Sequence, residues 1–266
     1  MKIEIIISTM NKQSISDLNL KEKNILKNCT IINQITDNSL KLINEEISSS
    51  NIRLFSYREC GLSKSRNRGL EQAQGEVLLL TDDDISLTKD AYEIIEKALI
   101  NNKDFDILSF RYEKEDSSKN KKYKDEEFIH TYSTIRKVSS IEIVIKKESI
   151  KNKKIKYNEI FGLGAKYNSG EENIFLKDCL DNNLKLKYIP RTIAKHPNIS
   201  SGMFLKEKTI FGKGALFYKL FGKKAYIFGP IFLIKKKRII ECSLFTAMKL
   251  YFKGLNELKK ESRKCF

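Results

Sequence analysis

The sequence predicts an α/β layered sheet followed by a basic helical tail, on three observations. Short apolar strand candidates alternate with helical segments from Lys2 to Ile189, the pattern of a sheet covered by helices. The charge is unevenly placed. Of a net +16 over 266 residues, +12 falls in residues 203–266, which also hold 12 of the 26 Phe and Tyr residues. The hydrophobic share, 41%, is sufficient for a packed core and excludes a disordered polycation. Five scattered cysteines without a C-x-x-C pair argue against a disulfide framework or a zinc ribbon and for a reducing compartment.

The elements follow in order. Lys2–Ser8 reads as a strand, because its apolar run is too short for a signal peptide and is interrupted by Glu4. A helix is expected near Ser16–Asn24, then strands at Thr30–Gln34 and Ile52–Tyr57. Gly61–Gln74 reads as a helix capped by Ser63, with Leu62, Leu70 and Ala73 facing inward. Glu76–Thr81 is an apolar strand of the fully buried kind and ends in Asp82-Asp83-Asp84. Ala91–Ile100 is helical, Asp106–Tyr112 a strand, Glu113–Glu127 a charged exposed loop and Ile141–Lys147 a strand. Glu171–Leu180 is helical, and Leu184–Ile189 returns as a strand before Pro190. The expected division is a domain over 1–202 and a tail over 203–266.

In the tail, Phe204, Leu205, Ile210, Phe211, Leu216, Phe217, Leu220 and Phe221 recur at roughly helical spacing, with lysines between them. Ala225–Ile234 is uncharged and runs into Lys235-Lys236-Lys237-Arg238, a segment that can enter a membrane interface but is too short to cross one. This texture favours an anionic membrane surface over nucleic acid as the partner. The other reading is plain packing on the body with a solvated basic face.

Four places carry chemistry, each with two readings. Asp82 and Asp84 can turn toward one hard cation, Mg²⁺ or Mn²⁺, or belong to a solvated turn. Lys64, Arg66 and Arg68 open a helix whose free N–H groups suit a diphosphate, or form a basic surface turn. In Phe161–Asn173, Glu172 can act as a base, or Ser169-x-x-Glu172 can be a capping box. His196 is a ligand or a structural histidine, and His130, the only other one, shows no evident partner.

Taken in order, Ile3–Thr9, Gly61–Gly69, Gly75–Asp84 and Gly162–Asn173 resemble the family 2 inverting glycosyltransferases, in particular bacterial members that build capsular, exopolysaccharide or cell-wall glycans. The resemblance covers residues 1–200. It implies the GT-A fold, a Rossmann-like mixed sheet with helices on both faces. It also implies a nucleotide-sugar donor, UDP-linked in the commonest case, with Mn²⁺ or Mg²⁺. On this resemblance Asp82 and Asp84 hold the metal, with Asp84 as direct ligand and His196 as third ligand, and Glu172 is the catalytic base. Glu171 lies near the acceptor, while Ser8, Thr9, Arg66, Asn67, Asp82 and Asp83 contact the nucleotide sugar. The sequence departs from the family in having Ser8-Thr9-Met10-Asn11 after the first strand, Asn33-Gln34 with Asp37 where a base-reading Asp is usual, and Glu rather than Asp as the base. A lipid-linked saccharide acceptor and a cytoplasmic enzyme at the inner face of the cell membrane are the matching expectations. The competing classes are a metal-dependent nucleotidyltransferase or phosphohydrolase and a non-enzymatic membrane-surface adaptor.

Overall fold

The computed structural model describes residues 1–116, 120–197 and 205–264. The chain forms two compact units. One comprises Met1–Cys60, Lys64–Tyr157 and Phe175–Asn198, and the other Gly61–Ser63, Asn158–Ile174 and Ile199–Phe266. The second unit therefore combines the tail with the glycine-rich segment. The expected 202/203 boundary, like Phe204, lies outside the described residues.

The first unit is one mixed sheet. Its centre is β1 (Ile3–Met10), flanked in parallel by β2 (Cys29–Gln34) and β5 (Val77–Asp82). On one side β4 (Ile52–Tyr57) pairs in parallel with β2, and β3 (Asn44–Ile47) closes that edge in antiparallel. On the other, β9 (Ile143–Lys146) runs antiparallel between β5 and β7 (Ile107–Lys114). Beyond β7 lies parallel β10 (Leu186–His196), which carries the short antiparallel strands β6 (Ser86–Leu87) and β8 (Phe128–Ile129).

Both faces are covered, which is why the central strands are apolar without alternation. Ile3, Ile5 and Ile7 of β1 enter one core with Ile94, Ile95 and Leu99 of α2 (Ala91–Asn101). Ile6 enters the other with Leu70 of α1 (Leu62–Gln72), Ile150 of α3 (Lys147–Asn152) and Phe175 and Leu176 of α4 (Glu171–Asp181).

The match of α1 to β1 sets the close approach on that second face. Along β1, Glu4, Ile6 and Ser8 share a side by the period of two. Along α1, Ser65 and Gly69 are one turn apart. The Ser65 hydroxyl meets the Ser8 hydroxyl at 2.9 Å, and a Cβ on Gly69 would lie 2.3 Å from Ile6 Cγ2. At the strand's start, buried Glu4 accepts from the Thr30 hydroxyl at 2.6 Å, the Arg53 guanidinium at 2.8 Å and the backbone N–H groups of Gln74 and Gly75. Burial would raise its pKa, but these donors outweigh burial and hold it below the usual carboxylate range. Gly69→Val is expected to lower stability by about 2 kcal/mol through overpacking against Ile6, read as an earlier urea midpoint at unchanged slope.

Several expectations change. The helix near Ser16–Asn24 is only a 3-10 turn at Ile15–Leu18, because Asn19 (φ 48°) and Asn24 (φ 57°) adopt left-handed backbone that stops propagation. Ser63 does not cap α1; it lies within the helix, and its hydroxyl donates to the Phe161 carbonyl at 2.6 Å. The buried side of α1 is largely polar, with Ser63, Ser65, Arg66 and Asn67 all covered. β10 continues through Pro190, which the ladder accommodates with register shifts between Tyr188 and Ala194. His196 is therefore the last residue of a strand. The charged stretch after Glu113 is not a bare loop: Lys121 pairs with buried Glu142 at 2.5 Å, and Tyr123 stacks on Tyr188.

In the second unit, α5 (Glu207–Phe221), α6 (Ala225–Lys235) and α7 (Leu244–Lys264) form a helical cluster. α5 and α7 touch almost backbone to backbone. A Cβ on Gly214 would lie 1.9 Å from the Tyr251 carbonyl oxygen, and one on Gly254 would lie 2.0 Å from that of Phe211. The apolar stripe of α5 is covered: Ile210, Ala215 and Leu216 are buried, the latter two with Phe161, Tyr167, Ile174 and Leu258. The tail is thus the support on which segment 158–174 is built.

Candidate functional site

In the first unit, the carboxyl ends of three neighbouring parallel strands assemble one group of residues. Register places Ser8 of β1 opposite Asp82 of β5. The Thr9 hydroxyl donates to Asp83 Oδ2 at 2.5 Å, the Lys12 ammonium lies 3.5 Å from the same oxygen, and Lys23 donates to the Asp83 carbonyl. Burial lowers the Lys23 pKa, opposed by the charges of Asp83 and Asp84. Asp83 is therefore the anchor of the acidic turn.

Arg66 is buried, with Nη2 3.5 Å from Asp82 Oδ1 and its guanidinium 5.5 Å from the Tyr157 ring centre. The three cations of the helix start do not act together. A helix turns about 100° per residue, so Arg68 points elsewhere, to Glu59 at 3.5 Å, Glu71 at 3.6 Å and the Tyr57 ring at 4.9 Å. Of the three, Arg66 is the one seen paired with an aspartate of the acidic turn among the described residues. Asn67 turns to the Tyr157 backbone, donating to its carbonyl at 3.0 Å and accepting from its N–H at 2.8 Å. Its amide in this structure fixes the chain at Tyr157.

Asp84 is exposed and makes no hydrogen bond or ion pair among the described residues. His196 Nδ1 lies 2.6 Å from the Pro197 carbonyl oxygen. Since a carbonyl only accepts, Nδ1 is the donor in this contact. Among the described residues no three His, Cys, Asp or Glu side chains are gathered closely enough to hold an ion by themselves. Two carboxylates on one turn nevertheless suit a Mg²⁺- or Mn²⁺-type ion that takes further oxygens from a diphosphate. His130 is structural, with ring nitrogens 2.7 Å from the Ser109 hydroxyl and 3.1 Å from the Thr134 hydroxyl.

The loop positions that sequence reasoning connected with base reading are arranged differently. Asn33 is buried, accepts from the Lys12 N–H at 3.0 Å and donates to the Lys12 carbonyl at 2.9 Å, so it shapes the turn after β1. Asp37 is exposed and accepts from the Ser39 N–H and hydroxyl, which lower its pKa.

In the second unit, Gly162, Gly164 and Gly170 have φ of 105°, 78° and 81°, backbone that side chains resist. Gly170 settles the start of α4. With positive φ it is the N-cap, and its carbonyl accepts from the Ile174 N–H at 3.1 Å. A Ser169–Glu172 capping box would need Gly170 inside the helix, so that register is absent. Glu171 is buried, its carboxylate 3.2 Å from where a Gly162 Cβ would sit; Glu172 is partly exposed.

Sequence reasoning missed Lys213. A Cβ on Gly212 would lie 2.9 Å from the Asn168 backbone nitrogen, and one on Gly170 would lie 2.2 Å from Leu216, so α5 is pressed onto the loop on both sides of Lys213. Burial pulls the Lys213 pKa down, and Glu172 and Glu171 push it up. The loop is also tied to α7, with Lys166 2.6 Å from Glu257 and the Tyr167 hydroxyl donating to Glu261 at 3.1 Å. The Gly212-x-Gly214 pair was the available signal of close packing here.

The family model described as Glycosyl transferase family 2 matches residues 12–165, more than half of the chain. No curated protein matches the chain. Among solved structures, the chain is similar to S. aureus TarS 1-349 in complex with UDP-GlcNAc, at 16% identity and a TM-score of 0.58, covering 99% of this chain and 74% of that one. It is likewise similar to the crystal structure of S. aureus TarS 1-349 (14% identity, TM-score 0.55, 99% and 73%) and to that of TarS 1-349 in complex with UDP (15%, 0.54, 99% and 73%). At such identities the likeness speaks for the fold, a mixed sheet with helices on both faces.

Proposed function

The chain belongs to glycosyl transferase family 2, and from that premise we propose that it moves a sugar, with inversion, from a UDP-sugar to a saccharide acceptor. The chain is a glycosyltransferase of the GT-A fold. The observation that carries the donor reading is the register of β1 on β5. It places Ser8 beside Asp82 at the strand ends, with buried Arg66 paired to Asp82 and Thr9 to Asp83. Ligands of open α/β sheets bind at such strand ends. The TarS complexes with UDP and UDP-GlcNAc support a uridine nucleotide.

In the proposed reaction Glu172 accepts the proton of the acceptor hydroxyl, whose oxygen attacks the anomeric carbon from the side opposite the diphosphate. The bond from that carbon to the diphosphate oxygen breaks, and the bonding pair leaves with the diphosphate. Arg66 stabilises the charge that develops there. Asp82 and Asp84, together with oxygens of the diphosphate, would hold a divalent ion, Mn²⁺ or Mg²⁺, which would supply further positive charge against the leaving group; His196, the third ligand that the resemblance implies, is not gathered with them closely enough to complete a three-residue site in this structure. Glu171 borders the acceptor, and Asn67 holds the Tyr157 backbone beneath the Arg66 guanidinium. The acceptor is proposed to be lipid-linked, as in bacterial surface-polysaccharide synthesis, with the enzyme at the inner face of the cell membrane. No helix among the described residues is long and apolar enough to cross a membrane.

A panel of UDP-sugars with Mn²⁺ or Mg²⁺ and saccharide acceptors tests this reading. UDP release that needs both metal and acceptor, with inverted anomeric configuration by NMR, is expected. Cleavage of a nucleoside triphosphate in place of sugar transfer would assign the acidic turn to another reaction.

A further inference from the structure

We propose that the outer face of α6 is a lipid-docking surface that lies in the interface of an anionic bilayer. One side of α6 is used for folding: Ala225, Gly229 and Leu233 are buried, and a Cβ on Gly229 would collide with the Tyr251 ring. The other side is equally apolar and faces outward. Ile227 is 64% exposed, Phe228 41%, Ile231 46% and Ile234 53%, and these four positions form one stripe at helical spacing. Phe245, at the start of α7, is 81% exposed. A helix apolar all round with only one face covered needs a second apolar neighbour.

The charges around the stripe decide which neighbour. Exposed Lys223 and Lys224 precede it, and exposed Lys235, Lys236, Lys237 and Arg238 follow it, against the single carboxylate Glu241 in residues 222–245. A second copy of this chain would bring the same six cations against themselves. An anionic lipid surface supplies acyl chains for the stripe and phosphates for the cations. The eleven residues of α6 extend about 16 Å, roughly half of a hydrocarbon core, so the helix lies in the interface and does not span it. Of the α5 stripe read from sequence as part of the same surface, Ile210 and Leu216 are buried within the unit and Phe211, Phe217 and Leu220 are half-buried against its core, so the proposed surface is that of α6. The inference deepens the membrane placement proposed above, but its test reads lipid binding and not sugar transfer. Failure of one therefore leaves the other standing.

The chain has no tryptophan, so Phe228→Trp provides a single emission probe. The full chain is expected to sediment with phosphatidylcholine vesicles containing phosphatidylglycerol, and the probe to shift to shorter wavelength. Binding to pure phosphatidylcholine is expected to be at least tenfold weaker. Ile227→Asp with Ile231→Asp changes exposed positions only, so its melting temperature should stay near wild type while vesicle partition falls at least tenfold. Replacing Lys235, Lys236, Lys237 and Arg238 by Gln is expected to remove most of the preference for phosphatidylglycerol, at roughly fivefold per cation. Unchanged partition in the double aspartate variant, or no blue shift on vesicles, overturns the proposal. So does a wild-type dimer that the aspartates dissociate, or a preference for single-stranded RNA over vesicles.

Discussion

Glu172→Gln is expected to lower kcat by about 10²–10⁴, the range that a general base contributes, while binding of UDP with metal stays as in the wild type. Glutamine keeps the size and one oxygen of the side chain but has no basic site for the acceptor proton. Glu172 lies in the first turn of α4, where free N–H groups favour an anion, and the Lys213 ammonium acts on it. Because Gly170 is the N-cap, Glu172→Gln should cost the helix little, and the melting temperature should move by no more than a few degrees.

Glu171→Gln serves as the contrast. Its carboxylate is buried against the Gly162 backbone, so the change is expected to alter stability and acceptor KM before kcat. Equal losses of kcat in the two variants would show that Glu172 is not the proton acceptor. Turnover by Glu172→Gln within tenfold of the parent would remove the base from the mechanism altogether.

The central sheet was legible because burial on both faces leaves a period-free apolar run, as in Val77–Leu80, followed at once by carboxylates. The acidic turn was legible for the same reason. The extent of α1 was legible too, but the chemistry of its buried side was not, since that side includes Ser63, Ser65, Arg66 and Asn67, and a hydrophobic pattern cannot announce a polar face. The strand through Pro190 was lost to the rule that proline ends strands, which a bulge overrides. The tail shows a third kind of limit. Its charge was plain, but charge does not reveal which apolar stripe is already covered. Only the approach of Gly214 to Tyr251 and of Gly254 to Phe211 separates α5, which supports segment 158–174, from α6, whose outer face stays exposed.

Asp84→Asn and Asp82→Asn are both expected to abolish metal-stimulated turnover, by about 10²–10³ from several kcal/mol of lost charge stabilisation, yet for separable reasons. Asp84 is exposed and bonds to nothing among the described residues, so its replacement should leave the fold within about 0.5 kcal/mol of the parent. Asp82 faces buried Arg66 at 3.5 Å, and removing its charge leaves a guanidinium without that counter-ion. Since Asp82 is about one-third exposed, the loss should be nearer 1–2 kcal/mol than the 3–5 kcal/mol of a fully buried pair. Thermal unfolding with UDP alone and with UDP plus Mn²⁺ separates the two roles. The parent should gain stability from the ion, Asp84→Asn should gain it from UDP only, and Asp82→Asn should begin lower and respond weakly to both. Asp84→Asn that still answers to Mn²⁺ would move the direct ligand away from Asp84. Asp82→Asn as stable as the parent would mean that the stacking on Tyr157 suffices to hold Arg66 in place.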